Sequence, residues 1–134
     1  HPPRDPGDPT MTTKISQVAI IGLGYVGLPL AATFAEAGVN VLGLDAIQAK
    51  VDQVNSGSSY IEDVPSERLA PLVASGHIRA TTVWDEVRQA DAVVICLPTP
   101  LTDHREPDLS AVLGACESLA ERLRPGHLVV LEST

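Results

Sequence analysis

The stretch VAIIGLGYVGLPLA, residues 18–31, constrains this chain more than any other. A short Val/Ile-rich run meets three glycines spaced G-x-G-x-x-G at Gly22, Gly24 and Gly27, and helix formers follow. The β-branched run predicts a buried strand, and the pattern of Ala31, Ala32, Phe34 and Ala35 predicts a helix that stops at Gly38. Three glycines alone are a weak signal, because plain turns contain them too. Their place between a strand and a helix gives each a task. Gly22 permits a tight turn, Gly24 lets a pyrophosphate approach the backbone, and Gly27 lets helix and strand pack closely. The free N–H groups and positive dipole end of the helix near Tyr25 and Val26 would then face phosphates.

The remainder of the chain repeats the strand-helix alternation. Further strands are expected at 40–45 (NVLGLD), 77–82 (HIRATT), 91–98 (DAVVICLP) and 127–134 (HLVVLEST), after a first strand at 17–22. Helices are expected from Ile47 to Asn55, over SERLAPLVASG with Ser66 as N-cap, and from Asp108 to Leu123, with one or two helical turns in WDEVRQA. Short, nearly continuous apolar strands joined by helices imply a parallel sheet covered on both faces. The fold class is therefore a Rossmann-type, doubly wound α/β fold. The first residues, HPPRDPGDPT, hold four prolines in ten positions and cannot bury apolar area, so 1–13 are read as an upstream or appended extension. One domain is expected over 14–134. It ends on a strand before a second mononucleotide half is finished, as a piece of a longer protein would.

Composition narrows the partners. Nine Lys+Arg against 17 Asp+Glu give a net charge of −8, which argues against a nucleic-acid backbone as ligand. No apolar run approaches the roughly 18 residues of a membrane span. Cys96 and Cys116 form neither a C-x-x-C pair nor a zinc spacing, and both are expected to be core residues, Cys96 in mid-strand. No metal and no membrane partner is expected, and the setting expected is cytoplasmic.

Asp45 closes the second strand, 23 positions after Gly22, near the spacing of about 20 found for the acidic residue that receives the adenosine ribose hydroxyls. Its charge would repel a 2′-phosphate, so NAD is expected over NADP. Lys50 is compatible with two readings, a contact to the adenosine end of the cofactor or a solvated helix lysine.

From about Val18 to Thr134 the chain resembles the nucleotide-sugar 6-dehydrogenases, the UDP-glucose and UDP-N-acetylhexosamine enzymes. The resemblance rests on GLGYVGLPLA, Asp45, LPTP after the fourth strand and the closing EST. The segments SYIEDVP and PTPLTDHREPDLS are more similar to the branch acting on UDP-N-acetylglucosamine or a related UDP-N-acetyl sugar. Such a resemblance implies oxidation of the sugar C6 alcohol to a carboxylate by two hydride transfers to NAD. The intermediate is a thioester on a cysteine far downstream, whose motif contains neither Cys96 nor Cys116. It also implies roles at matching positions. The backbone of Tyr25 and Val26 would hold the pyrophosphate, Pro98 and Thr99 would line the cofactor cleft, Ser133 would touch the cofactor, and Thr134 would help hold the catalytic water. A UDP-sugar partner, a homo-oligomer at full length and an inactive isolated fragment follow from the same likeness. For Pro98 and Pro100 simple strand termination remains open, and for His104, Arg105 and Glu106 a solvated loop and substrate contact remain equally open. Two other classes stay in view: a stand-alone nucleotide-sensing Rossmann module, and another NAD-dependent dehydrogenase of the 3-hydroxyacyl or 6-phosphogluconate type.

Overall fold

A computed structural model describes residues 15–123 and 127–132. Strands β1 (Gln17–Ile21), β2 (Asn40–Leu44), β3 (Ile78–Thr81), β4 (Ala92–Ile95) and β5 (Leu128–Leu131) form one parallel sheet in the order β3-β2-β1-β4-β5. Helices α1 (Gly27–Glu36), α2 (Gln48–Asn55), α3 (Ser66–Ala74) and α4 (Ser110–Ala120), with a 3-10 turn over Trp84–Gln89, connect them. The expected Rossmann-type fold is present. The chain winds outward from β1 through β2 to β3, then returns to place β4 on the other side of β1, so a switch point opens between β1 and β4.

Side chains of successive strand residues point to opposite faces, and β1 divides accordingly. Val18 and Ile20 enter a core with Leu28, Ala31 and Ala35 of α1, Val51 and Val54 of α2 and Leu69 of α3. Ala19 and Ile21 enter a second core with Val87, Ala90, Ala115 and Leu119. In β4 and just beyond it, Val93 and Ile95 join the second core, while Ala92, Val94 and Cys96 join the first. Both faces of β1 and β4 are thereby dry, as apolar parallel strands require.

The edges are treated differently. On β3 the side chain of Asn55 donates to the carbonyl of Ala80 at 2.9 Å and accepts its N–H at 2.8 Å, as another strand would. On β5, residues Leu128, Val129, Val130 and Leu131 are all exposed, contrary to the expected cover on both faces. The reason is the placement of α4, which turns Ala115 and Leu119 onto β1 and β4.

Three local expectations are corrected. Ser66 is not an N-cap: Pro65 takes that position, and the Ser66 hydroxyl instead accepts the N–H of Ser59 at 2.9 Å. Cys96 lies one residue past β4, not in mid-strand, although it is buried. Cys116 is exposed, because α4 presents Val112, Ala115 and Leu119 to the sheet and turns the next position outward.

Candidate functional site

A cleft of about 630 Å³ opens at the carboxyl ends of β1, β2 and β4, at the switch point. Its floor is the glycine-rich turn, and the geometry gives each glycine a separate reason. Gly22 has φ +98°, and a Cβ there would stand 2.7 Å from the carbonyl oxygen of Cys96. A Cβ on Gly27 would fall 1.7 Å from the carbonyl oxygen of Gly22, so α1 reaches the turn only because that side chain is absent. At Gly24 a Cβ would meet nothing within 4 Å. The space above Gly24 is open, as a cradle for a ligand's phosphates needs.

Helix α1 begins on this floor. No side chain caps it, no acidic residue lies in its first turn, and Val26 is the N-cap residue. The uncapped first turn therefore directs backbone N–H groups and the positive end of the helix dipole outward. Tyr25 beside it is 81% exposed.

Asp45 stands where β2 ends. One carboxylate oxygen accepts the N–H of Leu23 at 3.0 Å, the other the N–H of Ile47 at 2.9 Å. Asp45 thus braces the turn from below as well as lining the cleft. Each oxygen keeps a further lone pair for a ligand hydroxyl. Lys50 lines the same wall, its ammonium 5.7 Å from the centroid of the Tyr60 ring.

The cleft brings together Gly22, Gly24, Tyr25, Val26, Asp45, Lys50 and Pro98. Gly27 supports them from beneath. Thr99 follows Pro98 but does not line the cleft, and Ser133 and Thr134 lie outside the described residues. His104, Arg105 and Glu106 sit in an exposed excursion closed by a bridge between Leu101 and Pro107 and do not line the cleft.

Sequence reasoning missed the apolar wall of Trp84, Ile47, Leu97, Ala111 and Ala115. One signal was available: Trp84 is the chain's single tryptophan and lies just past β3. Neither cysteine offers a nucleophile to the cleft. Burial, aided by the charge of Glu132, pushes the Cys96 thiol up to about 11, so it stays protonated at neutral pH. Cys116 is exposed on α4 and does not line the cleft. Among the described residues no group of His, Cys, Asp and Glu could hold a metal ion, and no helix is long and apolar enough to cross a membrane.

Comparison with known proteins matches this geometry to a family. The model of the UDP-glucose/GDP-mannose dehydrogenase family, NAD binding domain, matches residues 16–134. The chain is 42% identical over 118 residues to an NDP-N-acetyl-D-galactosaminuronic acid dehydrogenase of Ralstonia nicotianae, covering 87% of this chain and 27% of that protein. It is 41% identical over 123 residues to a UDP-N-acetyl-D-mannosamine dehydrogenase of Campylobacter jejuni, covering 90% of this chain and 30% of that one. The solved UDP-D-ManNAc dehydrogenase of Pyrococcus horikoshii superposes with a TM-score of 0.83 at 35% identity, covering 88% of this chain and 28% of the other. The chain therefore spans less than a third of the length of these relatives. A glycine turn that leaves room for phosphates, an acidic residue at the end of β2 and a cleft at the switch point are what an NAD site in this fold requires. The chain belongs to the UDP-glucose/GDP-mannose dehydrogenase family and carries its NAD-binding domain.

Proposed function

We propose that this chain is the dinucleotide-binding part of a dehydrogenase that oxidises the C6 alcohol of a UDP-N-acetyl sugar to a carboxylate. The observation that carries this reading is the open, uncapped turn at Gly24 with Asp45 bonded beside it, both lining one cleft. The UDP-N-acetyl class is supported by the relatives, which include enzymes of UDP-N-acetyl-D-mannosamine and of NDP-N-acetyl-D-galactosaminuronic acid. The segment SYIEDVP, which resembles the N-acetyl-sugar branch, holds Tyr60 beside the turn.

Bound NAD supplies the hydride acceptor. The chain's own groups hold and orient it. Backbone N–H groups at Tyr25 and Val26 receive the pyrophosphate, Asp45 accepts from the adenosine ribose hydroxyls, and Lys50 stands at the adenosine end. Pro98 borders the opposite side, and the family resemblance would give Thr99 a place beside it, Ser133 a contact to the cofactor and Thr134 a part in holding the catalytic water. The apolar wall of Trp84, Ile47 and Leu97 would keep water from a cofactor bound in the cleft. This chain alone is expected to bind the cofactor without turning over a UDP-sugar, because Cys116 lies off the cleft and Cys96, which lines it, is a buried thiol that stays protonated.

Asp45→Ala tests the assignment. Loss of the carboxylate removes repulsion toward a 2′-phosphate, so the ratio of NADP to NAD affinity should rise. It also removes the brace on Leu23, which weakens both ligands and cancels in the ratio. An unchanged ratio by calorimetry would place Asp45 away from the ribose.

A further inference from the structure

Leu23, between the first two glycines, is held at three points. Its side chain presses on β2 where Gly43 leaves room: a Cβ on Gly43 would lie 2.7 Å from a Leu23 methyl. Its N–H is taken by Asp45 at 3.0 Å. Its carbonyl accepts the hydroxyl of Tyr60 at 2.6 Å. Tyr60 does not line the cleft and reaches the turn from behind.

That third contact has a directional effect. The peptide joining Leu23 to Gly24 is planar and trans, so its N–H points opposite to its carbonyl. Fixing the Leu23 carbonyl on Tyr60 fixes the Gly24 N–H on the other side, and Gly24 lines the cleft. We infer that Tyr60 is a positioning residue for the dinucleotide, its hydroxyl on the Leu23 carbonyl setting the aim of the Gly24 N–H in the phosphate cradle; this rests on the cleft being the NAD site.

The segment bearing Tyr60 is built to hold still. The Ser59 hydroxyl donates to the carbonyl of Ile61 at 3.0 Å and accepts its N–H at 3.1 Å, and the Ser59 N–H is tied to Ser66. Ile61 and Val64, which bridge to each other, are buried in the first core. Burial and the charge of Asp45 push the Tyr60 hydroxyl up to about 12, so it remains a donor throughout the neutral range. Lys50 over its ring joins the cleft wall to the same support.

Tyr60→Phe removes the hydroxyl and keeps the ring. NADH binding to wild type and variant can be followed through the emission of Trp84, the single tryptophan and a lining residue of the cleft. ADP-ribose and adenosine then serve as competitors. The variant should lose about three- to tenfold in affinity for NADH and for ADP-ribose, the size of one neutral hydrogen bond. Its melting temperature should fall only by the few degrees that one lost hydrogen bond accounts for, and its affinity for adenosine, which lacks the pyrophosphate, should stay as in wild type. Equal NADH and ADP-ribose affinities in the two proteins would overturn the inference. So would a loss shared equally by adenosine, which marks general loosening of the cleft and not a change in the aim of one N–H. A wild-type chain that binds no NADH would instead overturn the reading of the cleft, and the inference with it.

Discussion

Gly24 and Gly27 are three positions apart and have opposite tolerances for a side chain. At Gly27 even a methyl would collide with the Gly22 carbonyl, at 1.7 Å from its oxygen and 2.9 Å from its carbon, and that backbone cannot swing aside as a flexible side chain would. Gly27→Ala should therefore destabilise the chain by more than the roughly 1–3 kcal/mol usual for overpacking, read as a large drop in melting temperature or loss of soluble protein. A melting temperature equal to wild type would mean that α1 does not meet β1 as described. The spacing of the glycines and the place of Asp45 were legible in the sequence, because backbone geometry leaves few residue choices there. The bracing of Leu23 by Asp45 and Tyr60 was not. Tyr60 is 37 residues from its partner, and only the packing of the segment between α2 and α3 brings the two together.

The five strands and four helices were legible because their apolar periods are strong, and their order follows from the alternation. What escaped depended on neighbours. The cap expected from Ser66 went to Pro65, because the Ser66 hydroxyl has a better use on Ser59. Cys116 follows the apolar stripe in sequence but falls just outside the face that α4 gives the sheet. Between elements, Arg68 of α3 donates to Glu36 of α1 through two nitrogens, at 2.9 and 2.6 Å. The hydrogen bond from Arg68 holds the Glu36 carboxyl below its ordinary value. A lowered carboxylate contributes stability above its unfolded pKa and loses it as pH falls through the folded value. Arg68→Ala should thus lower the melting temperature modestly at neutral pH, since the pair is solvent-exposed, and the difference should vanish on acidification below the usual carboxylate range. A difference that persists in acid would assign the effect to packing by the Arg68 side chain and not to the ion pair.

At the scale of the molecule, a chain of net charge −8 is read as holding a doubly negative pyrophosphate. It can do so because the attraction is local: the floor of the cleft is uncapped backbone at a helix start, and formal charge does not count those dipoles. The sheet order brings the ends of β1, β2 and β4 around that floor, so the site belongs to the topology as much as to the glycines. The most direct measurement is a calorimetric titration of NADH into wild type and Gly24→Val. Gly24 has open space where a Cβ would stand and no positive φ, so the branched side chain fits the free protein but occupies the place of the phosphates. The melting temperature should be unchanged and the NADH affinity reduced severalfold or more; equal affinity in the two proteins would contradict phosphate binding at this turn.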